Sequence, residues 1–301
     1  MTLHRTHSGE TDHHLQNKGI FLQYHKKGID GDGKLHLHLG YEIYLFYKGN
    51  ATLIIGDQVY PLQTGDMVLI PGQTPHISKP DPAYPYIRTT INFLDSHVGM
   101  FPGDILEPIL QLFQHDGLLI SLDLSGQHEI DKLVSKMNAE LNKDEFGHET
   151  MASTVLFELL VIAYRKVQAM NNQTQYRHLT QQEMYVEQIL SIINNTFNEE
   201  IDLDFIADSI NINKHYMCHC FKAVTGYTIS TYIQHKRMEE AKKLLQFSPK
   251  SMTLIGQSVG IRNVSHFSRL FKEHSGMTPS AFRKKYNSMV KKQFSIKTEQ
   301  L

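Results

Sequence analysis

Four residues with side chains that bind metals and polar ligands recur at regular spacing near the start of the chain. His36, His38 and Glu42 follow the pattern H-x-H-x3-E, and His76 ends a second pattern, G-x5-P-x4-H. Three imidazoles and a carboxylate suit Mn, Fe, Ni or Zn. The same groups can hydrogen-bond a small ligand or form a polar core. The residues therefore leave three interpretations open: ligand binding, a structural core and a metal site.

A second group of metal-binding residue types is the sequence HYMCHC at 215–220, which holds both cysteines of the protein. By composition it looks like a metal knuckle. On a helix, however, Cys218 and Cys220 point about 200° apart, so they neither bridge nor chelate together. Met217, Cys220 and Phe221 share one face at helical spacing, which predicts a buried stripe with Cys220 as a small hydrophobic residue.

Composition restricts the class of protein. A chain of 301 residues predicts about two domains, and 41% hydrophobic with 20% charged residues is typical of globular proteins. No apolar run approaches the ~18 residues that span a bilayer, and the N-terminus lacks the apolar segment of a signal peptide. Two cysteines do not make a disulfide framework. We expect a cytoplasmic protein with no membrane partner.

Charge is distributed unevenly along the chain. The net charge is −1, yet from residue 212 onward there are 16 Lys and Arg against 4 Asp and Glu. A basic stretch of this size indicates a polyanionic partner. A solvated lysine-rich tail would have the same composition, so charge alone leaves both interpretations open.

The C-terminal third contains an internal repeat. FIADSININKHYMCHCFKAVTGYTISTYI at 205–233 corresponds to LIGQSVGIRNVSHFSRLFKEHSGMTPSAFR at 254–283. The two align at a shift of 49 before residues 262–264 and of 50 after them, so the extra residue falls in a turn. Each copy predicts a short helix, a tight turn, a longer helix and a C-cap glycine, Gly226 or Gly276. This is the pattern of a helix-turn-helix.

The segment between the copies predicts a single connecting helix. ISTYIQHKRMEEAKKLL at 229–245 follows Thr228, a suitable N-cap, and Thr278 with Pro279 begins a further helix in the same way. At ~1.5 Å per residue the connecting helix would be ~25 Å long. It could hold two recognition helices roughly one DNA turn, ~34 Å, apart.

These C-terminal stretches together resemble the DNA-binding domain of the AraC/XylS family of bacterial transcription regulators. The residues that carry the resemblance are FIADSININ, YMCHCFKAVTG, RMEEAKKLL and IGQSVGIRNVSHFSRLFKEHSGMTPSAFRKK, within about 100 residues. Three features depart from the family pattern. Gly256 replaces a small alanine, Ile261 replaces phenylalanine, and Cys218-His219 replaces a serine-arginine-like pair. The last departure predicts weaker base reading by the first motif.

The second recognition helix offers the better base-reading residues. Phe267, Phe271 and His274 fall on its buried face, whereas Arg269 faces the opposite side. We expect Arg269 to make bidentate hydrogen bonds to guanine, and Val264 to pack on a thymine methyl group. The lysines are expected to contact phosphates. The predicted DNA-binding residues are Lys214, His215, Cys218, His219, Lys222, Asn263, Val264, Ser265, Ser268, Arg269 and Lys272.

The first third of the chain predicts an antiparallel β-barrel or sandwich. From residue 20 to about 95, short apolar runs alternate with Gly, Pro and Asp turns. Two Gly-Asp pairs, at 56–57 and 65–66, are predicted hairpin turns. A strand over 36–47 would place five side chains on one face by period-two alternation: His36, His38, Glu42, Tyr44 and Phe46.

The two histidine-containing patterns also resemble the cupin motif pair, in which the matching positions bind metal. The asparagine after the last histidine and the second glycine of that motif are absent. The whole-chain resemblance is to regulators whose cupin-like barrel binds a small effector, often a sugar, usually without catalysis. We therefore predict a non-enzymatic effector site without metal or cofactor, formed by His36, His38, Glu42, Tyr44 and His76. The alternative is a metal-dependent cupin enzyme or metal-responsive sensor fused to a DNA-binding domain.

Two amphipathic segments, SGQHEIDKLVSKMNAELN and TMASTVLFELLVIAYRKVQ, follow the barrel. Their apolar stripes either pack on the barrel or, as the resemblance implies, dimerise the regulator. QAMNNQTQYRHLTQQ, which comes next, predicts a linker.

The predicted fold class is α+β: an N-terminal antiparallel cupin-like barrel followed by helices, then an all-α domain with two helix-turn-helix motifs. The resemblance implies a transcription activator whose effector shifts a conformational equilibrium. Its expected partners are promoter DNA, a small effector, RNA polymerase and a second copy of the chain. The predicted segments are the sensing domain (1–125), a helical dimerisation segment (126–168), a linker (169–182), the DNA-binding domain (183–288) and a basic tail (289–301).

Overall fold

The computed structural model describes residues 11–12, 14–15, 18–28, 35–114, 117–170 and 178–287. The chain divides into two compact units, Met1–Glu187 and Gln188–Leu301. Most of the predicted linker, at 171–177, and the whole predicted basic tail lie outside the described residues. Within the described part of the chain, no helix is both long and apolar enough to cross a membrane.

The first unit is built on two antiparallel sheets, which confirms the predicted fold class. One sheet has five strands in the order β1-β7-β2-β5-β8, and the other has three in the order β4-β3-β6. The strands are β1(Ile20–Lys27), β2(Tyr41–Lys48), β3(Ala51–Ile55), β4(Gln58–Leu62), β5(Asp66–Ile70), β6(His76–Pro80), β7(Ile87–Phe93) and β8(Leu118–Ser121).

Strand β2 separates two hydrophobic cores of this unit. Tyr44 and Phe46 join one core between the two sheets, together with apolar residues of β3 and β5. Ile43 and Leu45, which point the opposite way, join the second core against the helices. Because successive side chains of a strand alternate between faces, one strand lines both the barrel interior and the helix-covered surface.

From residue 95 onward, the described helices of this unit are α1(Asp95–Val98), α2(Gly103–Gln111), α3(Leu124–Leu141) and α4(His148–Ala169). The predicted stripes of α3 and α4 lie in the core of the unit, where Val134 and Leu159 are fully buried. Asp123 caps α3 by accepting a hydrogen bond from Gly126 N at 2.9 Å. Packing on the barrel therefore accounts for both stripes, and dimerisation stays a prediction.

Two details of the predicted strands are wrong. The strand expected over 36–47 begins only at Tyr41, because Gly40 has a left-handed φ of +70°, and a Cβ there would lie 2.1 Å from Phe93 O. Gly56-Asp57 does form the tight hairpin turn between β3 and β4. Gly65-Asp66, in contrast, lies in a turn between β4 and β5, which belong to different sheets. Sequence spacing does not reveal which strands pair.

The second unit is helical and contains the two predicted motifs. The C-terminal helices are α5(Gln181–Thr196), α6(Leu203–Ser209), α7(Lys214–Thr225), α8(Ile229–Phe247), α9(Met252–Ser258) and α10(Val264–Ser275). Helices α6 and α7 form the first helix-turn-helix, and α9 and α10 form the second. A further helix covers 279–287.

The turns of the two motifs have corresponding residues, and the structure shows which residue of the second copy is extra. Asn211 and Gly260, 49 positions apart, both have positive φ, at 55° and 78°. Asn213 and Asn263, 50 positions apart, cap the recognition helices by accepting hydrogen bonds from backbone N–H groups. The insertion is therefore Arg262, within the predicted turn. Gly226 and Gly276 end the helices with φ of 82° and 77°, as expected.

The departure at Gly256 has a steric reason. The second turn passes so close to α9 that a Cβ on Gly256 would lie 2.8 Å from Ile261 O. The backbone hydrogen bond from Ile261 N to Gly256 O is 2.7 Å, against 3.1 Å for Ile212 N to Ala207 O in the first copy. The tighter second turn thus accommodates glycine better than alanine.

Helix α8 connects the two motifs through separate contacts. Near its start, Tyr232 packs edge-on against Phe221 of α7, with ring centroids 5.4 Å apart. Near its end, Met238, Ala241 and Leu245 share a buried core with α9 and α10. At ~1.5 Å per residue, its 19 residues span ~28 Å, close to the length expected from the sequence.

Candidate functional site

Polar side chains from separate elements converge inside the barrel. Glu42 lies on β2, and Asn92 lies directly opposite on β7. His38 precedes β2, and His76 is the first residue of β6. All four side chains are buried, with 1–5% of their residue surface exposed. We call these residues (His38, Glu42, His76 and Asn92) the barrel cluster.

Glu42 is the common acceptor of the barrel cluster. Its Oε2 lies 2.7 Å from His38 Nε2 and accepts a hydrogen bond from Asn92 Nδ2 at 2.7 Å. His76 Nε2 is 3.8 Å from the same oxygen. The other ring nitrogen of His38, Nδ1, lies 3.2 Å from Leu39 O. Since both nitrogens of His38 face acceptors, a doubly protonated imidazolium satisfies the geometry.

The pKa values agree with an ion pair between Glu42 and His38. Burial raises the pKa of the Glu42 carboxyl. The hydrogen bond and charge of His38, the charge of His76 and the hydrogen bond from Asn92 together hold it well below its ordinary value. Burial lowers the pKa of His38, but its hydrogen bond to Glu42 and the charges of Glu42 and Asp12 raise it above the ordinary value. The cluster is therefore a charged centre inside an apolar barrel.

The barrel cluster also has the chemistry of a metal site. His38, Glu42 and His76 place three donor atoms within 4.8 Å of one another. His76 Nδ1 lies 2.9 Å from Thr74 O, and His38 Nδ1 faces Leu39 O. Such backbone contacts orient metal-binding imidazoles so that Nε2 points at the ion. The residues present therefore fit a transition metal as well as a polar ligand.

The structure brings together most of the predicted effector site. His36 pairs with His76 through a backbone bridge, and the two rings are 4.4 Å apart. Tyr44 shares the inward face of β2 with Glu42, but its hydroxyl is hydrogen-bonded to that of Tyr86. Burial raises the pKa of Tyr44 well above its ordinary value, so the phenol stays neutral.

Asn92 was not predicted from the sequence. It lies in the run IRTTINF, where alternation marks it only as one of several residues on the same face of β7. Its role follows from the register of β7 on β2, which pairs it with Glu42. A long-range pairing of this kind has no local sequence signal.

The predicted DNA-binding residues form the same surface in both motifs. Lys214, His215, Cys218, His219 and Lys222 on α7 correspond, 50 residues later, to Val264, Ser265, Ser268, Arg269 and Lys272 on α10. All ten are exposed or half-buried, whereas the opposite faces are buried. Asn263 is exposed and caps α10. Each motif thus presents one accessible helix face, which on α10 also includes the apolar Val264.

HYMCHC is part of the first recognition helix, as helical spacing predicted. Met217, Cys220 and Phe221 are fully buried, and Cys218 is half-buried. Within the described parts of the chain, three metal-binding atoms come together at His38, Glu42 and His76. His215, Cys218 and His219 do not form such a group.

Two of the predicted DNA contacts also form ion pairs at the protein surface. Arg269 Nη1 lies 3.1 Å from Glu273 Oε1, one turn further along α10. Lys214 Nζ lies 2.9 Å from Asp204 Oδ2 on α6. Exposed pairs of this kind contribute little to stability, so a phosphate or a base edge can displace the carboxylate.

Comparison with known proteins supports both halves of this description. A helix-turn-helix domain model matches residues 206–285, and a cupin domain model matches residues 28–79. The chain is 26% identical to the Msm operon regulatory protein of Streptococcus mutans over 250 residues, which cover 81% of this chain and 84% of that protein.

Two further comparisons extend over most of the chain. The transcriptional activator RhaR of Salmonella dublin is 24% identical over 254 residues, 82% of this chain and 86% of RhaR. The solved structure of ToxT from Vibrio cholerae aligns with 88% of this chain and 96% of its own, at 14% identity and a TM-score of 0.35.

Proposed function

We propose that this protein is a transcription activator controlled by a small effector in the barrel. It has the cupin domain and the helix-turn-helix domain of AraC-family transcription regulators. The relatives that match most of the chain are named as regulators or activators of transcription. The proposed role is non-catalytic: the effector shifts a conformational equilibrium that decides whether both motifs engage the promoter.

The repeated recognition face supports the DNA-binding part of this proposal. The five equivalent positions of α7 and α10 lie on one side of each helix, and asparagine caps fix where both helices begin. A recognition helix reads bases with residues near its N-terminus. Because Arg269 occupies the position of His219, the second motif supplies the stronger hydrogen-bonding group for guanine.

Replacement of Arg269 tests this assignment. DNA sequences are first selected in vitro with the full chain, and affinities are then compared for selected and scrambled duplexes. Arg269→Ala should lose about 1–3 kcal/mol on selected DNA and relax one base position. The equivalent change in the first motif, His219→Ala, serves as the matched control with a smaller loss. If Arg269→Ala weakens selected and scrambled DNA equally, Arg269 contacts phosphate instead of a base.

The effector part of the proposal is supported by the barrel cluster. Four polar side chains are buried together between the sheets, where burying polar groups costs more stability than burying apolar ones. A polyhydroxylated ligand could exchange hydrogen bonds with His38, Glu42 and Asn92. Thermal unfolding of the full chain with a panel of sugars, and separately with divalent metals, tests this, because a ligand of the folded state raises the melting temperature.

The two panels separate the competing roles. A rise with one sugar that is lost in Glu42→Gln supports effector sensing. If only a divalent metal raises the melting temperature, and His38→Ala and His76→Ala abolish that rise, the protein is a metal-responsive regulator instead. RNA polymerase and a second copy of the chain remain proposed partners. A monomeric mass at micromolar concentration would contradict the dimer.

A further inference from the structure

A buried charged cluster lies where α8 meets the second recognition helix. Glu239 Oε1 accepts hydrogen bonds from Lys242 Nζ at 2.7 Å and from His274 Nε2 at 2.6 Å. Glu239 is 1% exposed and Lys242 is 8% exposed. Lys242 lies on the same helix as Glu239, whereas His274 lies in the last turn of α10. We call these three residues the α8–α10 cluster.

The Glu239 carboxyl of the cluster is held in its charged form. Burial raises the pKa of Glu239, but the charge of Lys242 and the hydrogen bond from His274 bring it below its ordinary value. The His235 ring, on α8, lies 5.0 Å from that of His274 at 75°. Within the described residues, Glu239 Oε2 is buried and accepts no hydrogen bond. The carboxylate therefore depends on the two donors at Oε1.

The first motif has no equivalent of this cluster. The residue 50 positions before His274 is Val224, a half-buried apolar side chain near the end of α7. Apolar contacts are not directional, so they tolerate small rotations of a helix. The hydrogen bond between His274 and Glu239 does not, because a rotation of α10 that breaks it removes one of the two donors at Glu239 Oε1 and leaves a buried polar group of His274 without its acceptor.

Rotation matters because the base-reading residues lie at the surface of α10. Side chains reach ~5–6 Å from a helix axis, so a rotation of about 20° would displace them by ~2 Å. A shift of that size breaks a hydrogen bond, whose useful range of distance is about 0.5 Å. An apolar core alone, with Phe267 and Phe271 facing inward, restrains this motion less sharply.

We propose that Glu239, Lys242 and His274 are positioning residues that set the axial rotation of the second recognition helix, and thereby its base specificity. The inference rests on the proposed DNA-binding function and names which contacts place Arg269. Buried ion pairs contribute little net stability but can specify one arrangement over its neighbours. The cluster should therefore govern discrimination between DNA sequences more than affinity for DNA in general.

The test compares discrimination, measured as the ratio of affinities for selected and singly substituted duplexes, in variants of the full chain. His274→Val installs the residue of the first motif, and Glu239→Gln removes the charge at nearly constant volume. The double variant Glu239→Leu/Lys242→Leu replaces the ion pair by apolar side chains, which usually preserves stability. Glu240→Gln, at a half-buried neighbour that pairs with Lys236 at 3.8 Å, is the matched control.

Base positions are assigned to each motif from the effects of Arg269→Ala and His219→Ala. We expect the three cluster variants to lose discrimination about tenfold at the Arg269-dependent positions. They should keep discrimination elsewhere and affinity for scrambled DNA, and Glu240→Gln should match the wild type.

Unchanged discrimination in His274→Val and in the double variant overturns the proposal, as does an equal loss on selected and scrambled DNA. Failure of the wild-type chain to select any sequence contradicts DNA reading itself, which is a different result. Hydrogen exchange of α7 and α10 in the same variants shows whether a loss reflects local unfolding.

Discussion

Each unit buries one glutamate beside a histidine, and the two arrangements differ in what completes the charge balance. Glu42 of the barrel is paired with His38 and Asn92, and His76 is nearby. Glu239 of the helical unit is paired with Lys242 and His274. In the barrel cluster the basic side chains are histidines, whereas the α8–α10 cluster combines a histidine with a lysine.

This difference separates a site that can exchange partners from one that holds its partners. A histidine loses its charge near neutral pH, and its Nε2 can bind a proton, a ligand or a metal. A lysine paired with a carboxylate keeps its charge through that range. The barrel cluster is therefore suited to respond to ligands, and the α8–α10 cluster to maintain a fixed geometry.

The largest effect is expected on removal of the permanent positive charge. Lys242→Met should lower the free energy of unfolding of the helical unit by about 3–5 kcal/mol, because it leaves Glu239 buried without its main counter-charge. Lys242→Arg, which keeps the charge, should retain most of the stability. Hydrogen exchange of α8 and α10 in the full chain measures the change locally.

A loss below about 1 kcal/mol in Lys242→Met would mean that Glu239 becomes protonated readily, or that His274 balances it alone. Either result would make the two buried glutamates alike, and the contrast between them would fail. Lys236→Met is a useful second control, since Lys236 is also buried but pairs with the more exposed Glu240 at 3.8 Å.

A smaller effect is expected from the neutral donor of the barrel cluster. Asn92→Leu removes the hydrogen bond to Glu42 Oε2 and should destabilise the barrel by about 1–3 kcal/mol. His38 remains as the counter-charge, so the loss should be smaller than in Lys242→Met. Hydrogen exchange of β2 and β7 measures it, with Thr90→Val, on the same face of β7, as the matched control. If Thr90→Val lowers the stability of the barrel and Asn92→Leu does not, the hydrogen bond from Asn92 to Glu42 does not stabilise the barrel.

The contrast between the two clusters also shows what sequence patterns can and cannot predict. The helix-turn-helix pair was predictable, because the repeat and the C-cap glycines are local signals, whereas the caps Asn213 and Asn263 were not predicted. Helical spacing likewise predicted that Cys220 lies on the buried face of the first recognition helix. Local contacts dominate helical motifs, so sequence separation and spatial separation largely agree there.

The barrel was less predictable because its site depends on strand pairing. Spacing identified His38, Glu42 and His76, but Asn92 emerged only from the register of β7 on β2. The break of the expected strand at Gly40 depends on the close approach of Phe93 O, more than 50 residues away. His274 was expected as part of a buried stripe, but its bond to Glu239, 35 residues away, has no periodic signal.

The last and smallest effect concerns pH. Since the pKa of His38 is raised in the folded chain, its ion pair with Glu42 stabilises the barrel fully below the unfolded pKa of about 6.5. That contribution is lost as the pH rises through the folded pKa, with a slope of at most about 1.4 kcal/mol per pH unit. The Glu239 carboxylate should contribute no matching loss, because its lowered pKa places its titration in the acid range. Denaturant unfolding of the full chain between pH 6 and pH 8.5, with hydrogen exchange to assign each unit, measures both slopes.

His38→Gln should flatten the slope of the barrel and leave that of the helical unit unchanged. If His38→Gln and the wild type have equal slopes, another of the 18 histidines controls the pH dependence of barrel stability. The ion pair between His38 and Glu42 would then not be the cause of that pH dependence.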